Sequence, residues 1–243
     1  WVTYALIGLN VAVFVLVALP LMYQPADPGS RAVQELRREL PDRAGARMTA
    51  YDAVVYRWGY RPADPSALTL LTSMFLHGGL LHLLGNMLFL WIYGNNVEAR
   101  LGRLGYLLAY LGSGVLATLA FAAVAPAGSE DLPLVGASGA ISGVLGFYFL
   151  WFPRNQVRLL VLLFPFLMDV WLVSARIVLG FYLLVENLLP FVLARGSGGV
   201  AHGAHIGGFV AGLAAAAILS GIEALRGRGS GSRGRRDERR DSP

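Results

Sequence analysis

The stretch LVGASGAISGVLG, Leu134 to Gly146, sets two serines and four glycines inside one of the most apolar regions of the chain. Glycine in a helix interior costs roughly 1 kcal/mol relative to alanine, and a hydroxyl in an apolar setting needs a partner. Two readings follow. The small residues let a helix approach its neighbours closely, or the hydroxyls do chemistry.

The surroundings decide what kind of helix this is. The chain has 243 residues, 56% of them hydrophobic and only 14% charged, with a positive mean hydropathy of +0.56. Soluble domains of this size rarely have that composition. Crossing a bilayer takes about 20 apolar residues in a helix, and several runs qualify. The expected helices are 2–22, 80–93, 104–124, 138–152, 174–193 and 200–220, giving an all-α, six-span polytopic membrane bundle over 1–222. The first run has neither a basic leader nor a small-residue cleavage site, so it reads as an anchor and not as a removable signal. Because the chain starts with Trp1, trimming of preceding sequence is expected.

Between the first two spans, 23–67 is a long polar loop with Pro25, Pro28, Pro41, Pro62 and Pro65, expected to be partly structured. The stretch 157–173, VRLLVLLFPFLMDVWLV, is apolar enough to suggest a seventh span, but Pro165 and Asp169 interrupt it. It reads as an interfacial segment.

The net charge of +5 rests on arginine alone, and seven arginines lie between Arg226 and Pro243. Beside a membrane span, such a tail (223–243) reads as a disordered cytoplasmic end held by the positive-inside bias, not as a nucleic-acid arm. Arg100, Arg103, Arg154 and Arg158 fall in short loops on the same side, whereas APAGSEDLP, 125–133, carries no base. Both termini are therefore expected in the cytoplasm. The first loop runs against the bias, with seven arginines and six acids outside; the short loops weigh more.

In this topology the second, fourth and sixth helices run inward and carry their polar residues near their outer ends: His82 and Asn86, Ser138, and His202 and His205. A helix over 138–152 is only ~22 Å long against a hydrocarbon core of ~30 Å, so Ser138 is expected below the membrane surface. His205 falls about 7 Å below the start of its own helix, at a similar depth. Gly139 and Gly143 form one G-x-x-x-G; Gly199, Gly203 and Gly207 form a second series, and Gly208 with Gly212 a third. Such faces let backbones nearly touch in lipid.

Serine next to histidine is the pairing of a nucleophile and its base. Against it stand a helix-cap role for Ser138, a packing role for Ser142 and a carbonyl-bonded histidine at 205. Yet all four histidines, His77, His82, His202 and His205, lie in the outer thirds of two apolar segments, where ionisable groups are costly and point to function. Metal chemistry is the rival. His202 and His205 lack a nearby acid, H-E-x-x-H is absent, and there is no cysteine; no metal or cofactor is expected. No aspartate pair lies within the helices, and Glu186 and Asn187 read as a satisfied polar contact or a gate element. A transporter with a midplane ion site would call for an internal repeat, and none is evident.

At this level of detail the chain resembles the rhomboid intramembrane serine proteases. HGGLLHLLGN (77–86) resembles the family's H-x-x-x-x-H-x-x-x-N, GASG (136–139) its G-x-S-G, AHIGGFVAG (204–212) its A-H-x-x-G-x-x-x-G, and VEARLG (97–102) its E-x-R-x-G. The resemblance implies a dyad of Ser138 as nucleophile and His205 as base, with no carboxylate. It further implies an oxyanion hole of His82, Asn86 and the Ser138 backbone N–H, a supporting role for His77, and bracing of the first loop by Glu98 with Arg100. Gly136 and Gly139 would admit the substrate backbone. Substrates would be transmembrane helices of membrane proteins, entering from the bilayer between the second and fifth helices and cut near the outer face; the host membrane would be a bacterial plasma membrane. Two departures stand out. Some members place an aromatic residue four positions after the nucleophile, where this chain has Ser142, and Arg57-Trp58 reverses a Trp-Arg order found in some first loops. A relative that keeps the fold only to bind clients would lack the dyad, and here both residues are present.

Overall fold

The computed structural model describes residues 1–39, 48–126, 128–163, 167–193 and 201–237. Helix α1, Val2–Met22, opens its last turns into a π-helical stretch at Phe14–Ala18. It turns Leu6, Phe14 and Ala18 inward. Buried Asn10 spends one amide hydrogen on the Leu6 carbonyl one turn back, at 2.8 Å, as an amide in an apolar helix must.

The first loop contains two short helices, α2 (Arg31–Glu39) and α3 (Ala50–Trp58). Thr49 and Asp52 close α3 with a reciprocal capping box. Residues 40–47 fall outside the described set. A further short helix, α4 (Ala67–Thr72), leads through a 3₁₀ turn at Ser73–Phe75 to the longest element, α5 (Leu80–Val124).

Helix α5 is two arms joined at Gly102, whose φ of 73° and ψ of 170° break the helix. Positive φ is open to glycine at little cost, so this one residue turns the chain. The connection expected over 94–103 thus shrinks to a single position, and helix continues through Glu98 and Arg100.

Helix α6 (Ser138–Trp151) is the centre of the bundle: Ala140 through Tyr148 are buried without interruption. The hairpin β1 (Gln156–Leu163) and β2 (Leu167–Ser174) follows, antiparallel, with Gln156 opposite Ser174 and Val161 opposite Asp169. The stretch 157–173, expected as an interfacial segment and not a seventh helical span, thus takes strand conformation. Exposed Leu160, Val170 and Leu172 share one face by the register and make it apolar, and Asp169 is satisfied at the surface by its own neighbours, the Val170 N–H at 2.7 Å and the Trp171 indole at 3.0 Å. Helix α7 (Ala175–Leu193) is π-helical over Tyr182–Leu188. The last helix, α8, is His202–Asp237; the rest of the tail expected over 223–243 lies outside the described residues. No proline stands between Pro190 and Pro243 to stop this helix.

α1, α5, α7 and the stretch His202–Arg226 of α8 are long and apolar enough to cross a membrane; α6 is shorter. Large apolar residues such as Leu16, Leu81, Leu108, Ile177 and Ile218 are exposed on them. In water that pattern would be a liability; in a bilayer it is the lipid-facing surface. The chain is an all-α, multi-pass membrane bundle apart from the hairpin.

Glycine brings α6 and α8 into backbone contact. A Cβ on Gly212 would collide with the Gly143 carbonyl oxygen, and one on Gly208 with the Gly139 carbonyl oxygen. The other stripe faces a different neighbour: a Cβ on Gly207 would run into Ala120, and one on Gly203 would sit 2.6 Å from Val124, both in the second arm of α5. Gly199, the third member of that series, lies outside the described residues.

Candidate active site

The close approach of α6 and α8 sets the first residue of one against the first turn of the other. Ser138 Oγ and His205 Nε2 lie 2.8 Å apart. On its other side the imidazole meets α7: His205 Nδ1 is 2.7 Å from Asn187 Oδ1, and His202 Nδ1 is 3.4 Å from the same oxygen. Asn187 is 2% exposed, whereas its neighbour Glu186 is exposed. These two adjacent polar residues of α7 therefore differ: one is at the site and the other at the surface.

The ring of Tyr182 lies beside the imidazole at 6.2 Å between centroids, and its hydroxyl bonds Ser142 Oγ at 2.6 Å. The aromatic residue missing four positions after Ser138 is thus supplied from α7, with the small residue at that position anchoring it.

Ser138, His82, Asn86, His202 and His205 line one cavity of about 980 Å³, whose remaining wall is mainly apolar and includes Phe89 and Phe191. His82 projects from the first turn of α5, and the Gly78 N–H donates to its Nδ1 at 3.4 Å. Its opposite edge faces the backbone before Ser138: a Cβ on Gly136 would sit 2.8 Å from His82 Nε2. Gly136 holds φ 123°, and its N–H donates to the Ser73 carbonyl at 2.9 Å. Asn86, one turn below His82, is buried, and its amide nitrogen has no hydrogen-bond partner among the described residues. Buried donors left open are rare and call for an explanation.

Several expected roles shift. Gly136 makes room for the His82 ring, and Gly139 packs against Ala117, where a Cβ would approach to 2.7 Å. Among the described residues, the partners of Glu98 and Arg100 lie outside the first loop. Glu98 Oε1 accepts from the Val2 N–H and its Oε2 from the Thr3 N–H and hydroxyl, at 2.8, 2.9 and 2.8 Å, tying α5 to the start of α1. Arg100 donates to Glu223 at 3.0 Å and lies over the Trp151 ring. The first loop is instead pinned by Tyr51, whose hydroxyl donates to the His77 carbonyl at 2.9 Å and accepts from the His77 N–H at 3.1 Å. The His77 ring packs edge-on to His82. Burial, and then the neighbouring His82, push its pKa down to about 4, so it stays neutral near pH 7. Among the described residues, no three His, Asp or Glu side chains gather as metal ligands would.

The model of the Rhomboid domain family matches residues 64–222, which takes in Ser138, His205, His82, Asn86 and every other residue lining this cavity except Val55. The chain belongs to the rhomboid family. Members of that family are generally intramembrane serine proteases. Curated relatives include rhomboid protease GluP of Bacillus subtilis (strain 168), 33% identical over 150 residues that make up 62% of this chain and 25% of GluP. Rhomboid protein 1, mitochondrial, of Saccharomyces cerevisiae is 30% identical over 168 residues, 67% of this chain and 40% of that protein. The rhomboid chain spans less than half the length of the curated relatives it matches first.

Proposed function

We propose that this chain is a serine endopeptidase that cleaves transmembrane helices of membrane proteins. The observation that carries the reading is the 2.8 Å separation of Ser138 Oγ and His205 Nε2 at the floor of a cavity large enough for an extended peptide. In the reaction, Ser138 Oγ attacks the peptide carbonyl carbon while His205 Nε2 takes the hydroxyl proton. The C–N bond then breaks as that proton passes to the leaving nitrogen. Water, deprotonated by the same imidazole, splits the resulting ester and restores the serine.

The negative oxygen formed on the way needs fixed donors. Among the described residues, none accepts a hydrogen from the Asn86 amide nitrogen. Because the Gly78 N–H occupies His82 Nδ1, the neutral ring carries its hydrogen on Nε2, the edge facing the backbone before Ser138. Ser138 opens α6, so its own N–H points out of a helix N-terminus and is a third donor.

A helix hides its carbonyls in hydrogen bonds, so the substrate must unwind locally, and small residues and helix breakers are expected at the cut. Lateral entry between the first arm of α5 and α7 fits the cavity, which Phe89 and Phe191 line from those two elements, and α7 is the least buried of the long helices. The charge of the short loops supports cytoplasmic termini in a bacterial plasma membrane, with six traversing segments when the two arms of α5 are counted separately and α6 is included.

In proteoliposomes, Ser138→Ala is expected to insert normally and to lose both cleavage of a model transmembrane substrate and labelling by a fluorophosphonate. Cleavage at the wild-type rate by this variant, or its abolition in wild type by a chelator, overturns the proposal.

A further inference from the structure

Asn187 sits inside the π-helical part of α7, one extra residue per turn that commonly marks a functional position. Its amide nitrogen, Nδ2, donates to the Tyr182 carbonyl five residues back at 2.8 Å. A carbonyl oxygen can only accept, so the group facing it must be the NH₂. The orientation of the amide follows: Oδ1 is the end turned toward α8, where it lies 2.7 Å from His205 Nδ1. That oxygen can likewise only accept. His205 Nδ1 therefore carries a hydrogen, and a neutral imidazole has just one. Its Nε2 is left with a lone pair, 2.8 Å from Ser138 Oγ, which makes the serine hydroxyl the donor.

We infer that Asn187 is the positioning residue of the base, fixing the reactive tautomer and ring angle of His205 through the Tyr182 carbonyl; the inference rests on the dyad reading above. The alignment that results runs from the Tyr182 carbonyl through the Asn187 amide and the imidazole to the serine hydroxyl. When the Ser138 O–H bond breaks and its oxygen bonds the carbonyl carbon, the proton moves to Nε2 and the positive ring keeps its Nδ1 hydrogen bond. The amide takes no proton at any stage. Its oxygen stabilises the charged ring by its dipole alone, the part a buried carboxylate plays in other serine hydrolases. His202 Nδ1, at 3.4 Å from the same oxygen, is the longer of the two contacts and leaves the shorter one to His205.

The test uses the full chain in detergent micelles, selectively ¹⁵N-labelled at histidine, of which it has only four. The wild-type His205 ring is expected as the Nδ1–H tautomer; finding Nε2–H in wild type overturns the inference without any variant. Asn187→Leu, close in volume, is expected to shift His205 toward a mixture of tautomers and to lower kcat by about 10-fold to 100-fold, the range for removing a group that orients an imidazole through its other nitrogen, with KM unchanged. Asn187→Asp keeps an acceptor at Nδ1 and is expected to keep the tautomer. Full kcat in Asn187→Leu, or a fall confined to KM, overturns the inference. Ser138→Ala is assayed alongside: if it cleaves, the dyad reading itself fails, whereas a dead Ser138→Ala beside an unimpaired Asn187→Leu refutes only the role of Asn187.

Discussion

The hydroxyls of Ser142 on α6 and Tyr182 on α7 are 2.6 Å apart, and that bond holds the Tyr182 ring beside the His205 imidazole. Tyr182→Phe and Ser142→Ala each remove the bond and keep the ring, so each is expected to lower kcat only a few-fold, in line with a net hydrogen bond of about 1 kcal/mol. The double variant should be no worse than either single one, because the two residues share one interaction. Tyr182→Leu removes the ring as well and should lose about ten-fold. Additive losses in the double variant would show that the two hydroxyls act separately.

Asn86→Ala should reduce kcat by about 10²-fold to 10³-fold, the cost of losing one oxyanion donor. Thermal stability should stay close to wild type, since the Asn86 amide nitrogen has no hydrogen-bond partner among the described residues to lose. A stability loss matching the activity loss would assign Asn86 to packing.

Gly212→Val should prevent α6 and α8 from docking, because its Cβ meets the Gly143 carbonyl and backbone atoms cannot move aside as a flexible side chain can. Overpacking of this kind costs typically 1–3 kcal/mol or more. Gly221→Ala, on the same helix with open space around it, should be neutral or slightly stabilising. Thermal unfolding of both variants in one detergent provides the comparison, and equal midpoints would refute the docking argument.

Glu98→Gln replaces a carboxylate that accepts the Val2 and Thr3 N–H groups and the Thr3 hydroxyl. Bonds to a charged acceptor contribute about 1.5–3 kcal/mol each, and an amide can satisfy only part of the set. The variant should melt earlier while the folded fraction keeps its kcat, since these contacts tie α1 to α5 and none reaches Ser138 or His205. A changed kcat at unchanged stability would contradict this.

The apolar runs made most of the helices legible, and the glycine spacing made the α6–α8 seam legible, because both signals depend on residues a few positions apart. The pairing of Ser138 with His205 followed from matching their depths along two helices. What the chain hid depended on three-dimensional arrangement. The strands of 156–174 were missed because an uninterrupted apolar run has no period to tell strand from helix, and only Pro165 hinted at a turn. Asn187 reads in the sequence only as a polar contact or gate element, and Tyr182 not at all, because an amide or phenol in an apolar helix shows that it needs a partner, not which one. The signal was present nonetheless: of Glu186 and Asn187, only the uncharged residue can be buried without a counter-ion. The partners of Glu98 and Arg100, the start of α1 and Glu223, are distant in sequence, so no local spacing announces them.

The uninterrupted burial of Ala140 through Tyr148 has a consequence for how this protein sits among lipids. A helix of 14 residues reaching the bilayer would force acyl chains to compress around it. Here neighbouring helices cover Ala140 through Tyr148, so this stretch meets protein and not acyl chains. Thickness matching along it is thereby delegated to the outer helices.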